Sequence, residues 1–243
     1  MRKAAVDGEE KRPRTCGKNQ ETNLQGIGAA KRFTIASTGR PAYAADMRII
    51  TGSAGGIPIA VPRTVLRPTA DRVREAVFSI LGARVEEASV LDLFAGSGSY
   101  GLECLSRGAR RAVFVEADRG SCAVISQNLA KARLTGGTVA GAPVESWLKR
   151  APAERFDLIF ADPPYAKQRG DRDWNALLLS SAELSGLLAP GGLFILESFA
   201  KGGQPLPPGA SWQAVDERRY GDSLLVFYQL PSADAPAPDP AAV

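Results

Sequence analysis

Residues 90–101 read VLDLFAGSGSYG, an apolar run that passes directly into glycines 96, 98 and 101 at the spacing G-x-G-x-x-G. The run has the length and composition of a buried strand, and residues 100–107 have the pattern of a helix. Glycine lets the connecting turn fold tightly and lets a ligand approach the backbone, while the unpaired N–H groups of the helix start face the same space. Taken alone, the spacing also describes an ordinary strand-to-helix turn. Here it is joined by Glu116, 20 residues after Gly96 at the end of the next apolar run, FVEAD. An acceptor pair at that point can hold both hydroxyls of a ribose, so a nucleoside cofactor is expected. A dinucleotide such as NAD and S-adenosylmethionine are the two classes that fit. Asp92, inside the strand before the loop, favours the second, because its charge repels a pyrophosphate and attracts the ammonium of a methionine moiety. Considered by itself, the same aspartate has a simpler reading as a buried acid that caps a local turn.

Outward from this loop the chain alternates. Strands are expected over 90–94, 112–115, 138–140, 158–161 and 193–197, and helices over 100–107, 120–132, 146–149 and 174–188. The last helix leads to its strand through Ala189-Pro190-Gly191-Gly192. Such alternation builds a mostly parallel sheet with helices on both faces. At the end, 212–219 and 224–230 flank Tyr220-Gly221-Asp222-Ser223 and read as an antiparallel hairpin, for about seven strands in all. Ahead of the loop, residues 47–66 read as a small Gly/Pro-rich hairpin. Residues 69–81 read as a helix with Thr69 as N-cap and Val73, Val77, Ile80 and Leu81 on one face. After the third strand stand Ala142 and Pro143, where many such folds carry an acid for the adenine amine. Adenine recognition then falls to backbone groups and apolar packing, with Glu145 either a substitute or the solvated start of a helix.

The 243 residues are 44% hydrophobic and 23% charged, a globular composition. None is histidine, which excludes a Ser-His-Asp or Cys-His nucleophile, a histidine general base and His-ligated zinc. Cys16, Cys104 and Cys122 stand at no metal-ligand spacing and are odd in number, so neither a metal site nor a disulfide framework is expected. A reducing cytoplasm suits such thiols. No run approaches the ~18 apolar residues of a membrane-spanning helix. The net charge of +4 is uneven, because residues 1–46 carry nine Lys/Arg and five Asp/Glu while the remainder carries 21 of each. That leading segment lacks periodicity and is expected to be disordered, or to precede a true start at Met47. A basic RNA-binding arm and a targeting peptide are its other readings. Residues 231–243, PSADAPAPDPAAV, read as a loose tail, which leaves one domain over 47–230.

Strand 158–161 delivers Asp162-Pro163-Pro164-Tyr165 at its carboxyl end, the side on which open parallel sheets bind ligands. The prolines fix the backbone and leave carbonyls free to accept, and Asp162 adds another acceptor. Together they can hold an exocyclic NH2 toward a methyl sulfonium while Tyr165 stacks on the attached base. Transfer to such an amine depends on proximity and orientation more than on a strong base. Asp-Pro-Pro is also a common turn; its place after an apolar strand, 70 residues beyond Asp92, gives it the sharper meaning.

With MRIITG, LRPTADRVREAVFSIL, DLFAGSGSYGLECLSRGA, VFVEAD and FDLIFADPPY in this order, the chain resembles the bacterial RsmD family over residues 47–230. That family methylates the exocyclic N2 amine of one guanine in 16S ribosomal RNA. Arg67-Pro68-Thr69 followed by Asp71-Arg72-Val73-Arg74-Glu75 is the part of the match that methyltransferases in general do not share. The resemblance implies a class I, Rossmann-like α/β fold that uses S-adenosyl-L-methionine. It implies cofactor binding at Asp92, Gly96, Gly98 and Glu116 and amine binding at Asp162, Pro163 and Tyr165; Phe94, Ser97 and Ala117 are expected beside the cofactor, and Pro164 beside the amine. The chain departs from the family at Ser53-Ala54-Gly55-Gly56, where a Lys-Trp-Arg-Gly type sequence is usual, so two cations and an aromatic of an RNA contact are missing.

Arg67, Arg72, Arg74 and Lys167 are the expected substrate cations. Arg67 and Arg74 can reach phosphates, and Arg72 can instead pair with Asp71 or Glu75 along the helix, a contact of ~0.2 to 0.5 kcal/mol. Lys167, Arg169 and Arg172 either clamp the RNA backbone or belong to a solvated loop. The expected partner is small-subunit ribosomal RNA, free or in an assembled particle, met by a monomer that touches no membrane. The rivals are methylation of an adenine amine or a protein glutamine amide at the same corner, and a non-catalytic ribosome-assembly module that keeps cofactor affinity.

Overall fold

The computed structural model describes residues 47–62, 71–164, 171–199 and 206–231. The expectations for residues 1–46 and 232–243, and for Arg67, Thr69, Tyr165, Lys167 and Arg169, lie outside the described residues. Five strands run parallel: β1 (Ser89–Leu93), β2 (Arg111–Glu116), β3 (Gly137–Gly141), β4 (Phe156–Ala161) and β5 (Leu188–Phe199). Next, β6 (Gln213–Tyr220) and β7 (Ser223–Gln229) form an antiparallel hairpin whose second strand pairs antiparallel with β5. The sheet order is β3-β2-β1-β4-β5-β7-β6. From β1 the chain steps outward to β2 and β3 and then returns to the other side of β1 as β4. The order therefore reverses between β1 and β4, and sheets of this kind bind ligands at the carboxyl ends of the strands where such a reversal occurs.

Six α-helices are described: α1 (Asp71–Leu81), α2 (Ser99–Ser106), α3 (Arg119–Ala132), α4 (Val144–Leu148), α5 (Trp174–Leu179) and α6 (Ala182–Leu187). Every residue of β1 is buried, as its continuous apolar run requires of a central parallel strand. Its side chains divide between two core layers. Val90, Leu158, Phe160 and Ile195 pack with Val77, Phe78, Leu102 and Ile125 from α1, α2 and α3. Leu91, Leu93, Ile159 and Leu196 pack with Leu178, Leu179, Leu184 and Leu187 from α5 and α6.

Two boundaries differ from expectation by more than two residues, and one position on the buried face of α1 differs as well. The helix expected over 174–188 is two helices, because Ser181 stops the first and caps the second by accepting the Leu184 N–H on its Oγ at 3.1 Å. β5 starts at Leu188 rather than 193: Leu188 pairs with Phe156, a bulge follows, and Leu193 pairs with Leu158. In α1 the fully buried aromatic Phe78 takes the place expected of Ile80, which is 37% exposed. The N-terminal hairpin is present, with the Ile49 N–H donating to the Ile57 carbonyl at 3.0 Å and the Ile59 N–H to that of Met47 at 2.9 Å.

Candidate active site at the switch point

Phe94 leaves β1 with φ +57° and Gly96 follows with φ +54°, a left-handed turn that glycine enters without the Cβ penalty. The turn aims the Gly96 N–H across to β2, where it donates to Glu116 Oε2 at 2.9 Å. Gly98, at φ +78°, needs the left-handed region as well as space, and Gly101 serves packing. A Cβ at Gly98 would lie 3.2 Å from Ile125 and Phe114, and one at Gly101 would lie 2.3 Å from Phe114 Cε1. Gly98 precedes α2 without a side-chain cap. The cap comes instead from the sheet, because the Gly101 N–H donates to Asp92 Oδ2 at 3.0 Å. The simpler reading of Asp92 is thus realised. Burial pushes its carboxyl up to about 7, against the Gly101 hydrogen bond and reinforced by the charge of Glu116.

Glu116 also accepts the Asp118 N–H on Oε1 at 2.8 Å. Each of its oxygens has a further lone pair, so a ribose hydroxyl can be accepted without breaking the loop. This set of acceptors fits S-adenosylmethionine. A buried acid that ionises near neutrality is disposed to take an ammonium, and a half-exposed glutamate at the loop mouth is disposed to take a diol. Among the other expected cofactor contacts, Phe94 is half-buried, Ser97 is buried and Ala117 is exposed.

Asp162 emerges half-buried from β4, followed by buried Pro163 and exposed Pro164. Behind this corner Tyr100 of α2 lies parallel to Phe160, with ring centroids 4.9 Å apart, and donates its hydroxyl to Glu197 Oε2 at 3.0 Å. Burial, with the charges of Glu197 and Asp162, holds that phenol well above its ordinary range. On the other side Phe94 meets Trp174 edge-on at 5.0 Å, and Arg172 covers the Trp174 ring at 5.0 Å while pairing with Glu145 at 2.6 Å. Glu145, offered as a substitute for the adenine acid, is thus an ion-pair partner.

The substrate cations divide. Arg72 is exposed, whereas Arg74 is fully buried and out of reach of an RNA phosphate. Its Nη2 donates to Asp71 Oδ1 at 2.6 Å and to the Arg48 carbonyl at 2.7 Å, so the acid foreseen as a partner for Arg72 is taken by Arg74. Nearby, buried Glu103 accepts the N–H groups of Ile50 at 2.6 Å and Thr51 at 3.0 Å, and Arg107 Nε at 2.7 Å. Asn128 of α3 donates to the carbonyls of Ala60 at 2.9 Å and Ser97 at 3.1 Å and accepts the Ala60 N–H at 2.8 Å. Glu103 and Asn128 therefore tie the N-terminal hairpin to the cofactor loop and its helix. The sequence pattern carries a signal for both. Glu103 is the one charge in SYGLECLS, and Asn128 occupies the buried stripe of α3 with Ser121, Ile125 and Ala132. Among the described residues no cluster of three or more Cys, Asp or Glu is arranged to hold a metal, and no helix is long and apolar enough to cross a membrane.

The family described as conserved hypothetical protein 95 matches residues 47–229. Ribosomal RNA small subunit methyltransferase D of Escherichia coli is 35% identical over 185 residues, covering 76% of this chain and 90% of that protein. The Haemophilus influenzae protein of the same name is 30% identical over 189 residues, covering 76% and 93%. The solved structure of the Escherichia coli methyltransferase candidate yhhF aligns with a TM-score of 0.64 at 36% identity, over 76% of this chain and 97% of that one.

Proposed function

We propose that this chain, which belongs to the RsmD family described as conserved hypothetical protein 95, methylates the exocyclic N2 amine of a guanine in 16S ribosomal RNA. Family membership makes it an S-adenosylmethionine-dependent methyltransferase of ribosomal RNA; the guanine and its N2 atom are the finer part of the proposal. S-adenosylmethionine supplies a methyl group already activated on a sulfonium. Asp92 and Glu116 hold the two polar ends of that molecule, and the Gly96 turn leaves room for it against the backbone. Asp162 and the carbonyls of the proline pair accept from the two N–H bonds of the amine and turn its nitrogen toward the methyl group. Tyr165 stacks on the base. The amine is neutral before transfer and sheds a proton after it, so orientation supplies most of the rate.

The observation that carries this reading is the juxtaposition at the switch point: Asp162 leaves β4 beside β1, whose own carboxyl end is the glycine loop. Exposed Arg72, together with Lys167, is proposed to meet RNA phosphates, in a cytoplasmic monomer. The test is incubation with labelled S-adenosylmethionine and small ribosomal subunits lacking the modification, beside free 16S RNA, followed by nucleoside mapping. Label in N2-methylguanosine is the expected result. Label in N6-methyladenosine or in protein would move the acceptor, and cofactor binding without turnover on either substrate would leave a binding module.

A further inference from the structure

Tyr100 and Glu197 are 5% and 4% exposed, and neither has a role in the activity described so far. Their hydrogen bond joins α2 to β5, with the Tyr100 ring on Phe160 two residues before Asp162. Ala161 pairs with Leu196 as the last matched pair of β4 and β5, neighbouring parallel strands of a kind spaced about 4.8 Å apart, and Asp162 and Glu197 are the next residues of the two segments. Alternation puts Glu197 on the face of Ile195, in the core layer that also holds Phe160 and Tyr100. The charge of Asp162 is felt at the Tyr100 phenol, together with that of Glu197, and Arg74 opposes both.

We propose that Glu197, fixed by the Tyr100 hydroxyl, is a positioning residue of the methyl-transfer corner that sets a second, buried negative group beside the amine bound at Asp162. This rests on the amine-methylation reading above. In that transfer the N–C bond forms as the S–C bond breaks, the positive charge passes from sulfur to the amine nitrogen, and one N–H proton then leaves to water. A negative group fixed where water is excluded favours charge at the nitrogen, and costs no reorganisation as that charge develops. Tyr100 acts through Glu197, by holding the carboxylate in one orientation.

The test compares Glu197→Gln, Tyr100→Phe, their double variant and Asp162→Ala by single-turnover methylation of unmodified small subunits at saturating S-adenosylmethionine, with calorimetric cofactor affinity and melting temperature beside it. Glu197→Gln is expected to slow the saturated step by about 10- to 100-fold while cofactor affinity stays near that of the parent. Tyr100→Phe keeps the ring on Phe160 and is expected to slow it by roughly 3- to 10-fold, with the double variant no slower than Glu197→Gln alone. Should Glu197→Gln fail to fold, Tyr100→Phe decides the matter by the same rate. Parent rates in both variants, or losses confined to melting temperature, overturn the proposal. A fully active Asp162→Ala would overturn the underlying reading instead, so the two failures are distinguishable.

Discussion

Asp92 sets folding against ligand binding within one side chain. Its carboxyl ionises near the ordinary 3.8 in the unfolded chain and at about 7 in the folded one. Between these values the folded chain binds more protons than the unfolded chain, so stability falls as pH rises from about 4 to 7 and is level above that. Asp92→Asn keeps an acceptor for the Gly101 N–H and removes the titration. Its melting temperature, followed from pH 5 to 8, is expected to rise relative to that of the parent. An ammonium beside Asp92 reverses the cost of ionisation, so S-adenosylmethionine binding below pH 7 is expected to expel a proton. Calorimetry in two buffers of different ionisation heat reads that proton directly. Equal release by the Asn variant would reduce Asp92 to a helix cap. Glu116 supports the loop as well as the expected ribose, so Glu116→Ala is expected to weaken cofactor binding by roughly 1.5 to 3 kcal/mol. Unchanged affinity would place the ribose elsewhere.

The β1–loop–α2 unit owes its glycines to two different needs, one conformational at Gly96 and one steric at Gly101. Gly101→Ala drives a methyl group into Phe114, itself fully buried, and overpacking of this kind costs ~1 to 3 kcal/mol. Urea unfolding is expected to show that loss, and Phe114→Leu to recover part of it. A neutral Gly101→Ala would mean that α2 can ride away from the sheet. The same unit is readable from sequence because a buried strand, a glycine turn and an acid on the next strand each impose a local pattern. Where the determinant is not local, the pattern is silent. Ser181 is a cap-favouring residue inside an otherwise continuous helical pattern, and only the turn back toward β4 makes it a stop, while Pro190-Gly191-Gly192 reads as a linker until a bulge absorbs it into β5. Arg74 reads as a phosphate ligand because its neighbours in sequence are charged. Its burial is decided by the Arg48 carbonyl and Glu103, 26 and 29 residues away.

Residues 47–243 are electrically balanced, with the net charge of +4 carried by residues 1–46, so attraction to RNA must be local or must come from that segment. What joins the hairpin to the cofactor loop is a set of buried side-chain clamps. Asn128→Ala leaves the Ala60 and Ser97 backbone groups unpaired, at ~1 to 3 kcal/mol for each buried group left so. Lower stability together with weaker cofactor binding is expected; lower stability alone would show that the hairpin does not support the loop. Met47 is 4% exposed, accepts the Ser97 hydroxyl on its sulfur at 3.6 Å, and stands where the family match begins. Nothing in the pattern of residues 1–46 offers an apolar face to bury. Removing them is therefore expected to leave melting temperature and cofactor affinity unchanged, as scanning calorimetry and titration would show. Their nine cations can still bind phosphates, and every cation–phosphate pair that truncation abolishes flattens the dependence of RNA affinity on salt by about one unit of log–log slope. A flatter slope with weaker binding in the shortened chain would identify a substrate arm, an identical slope a segment that RNA does not touch, and a melting temperature lower by several degrees a part of the fold.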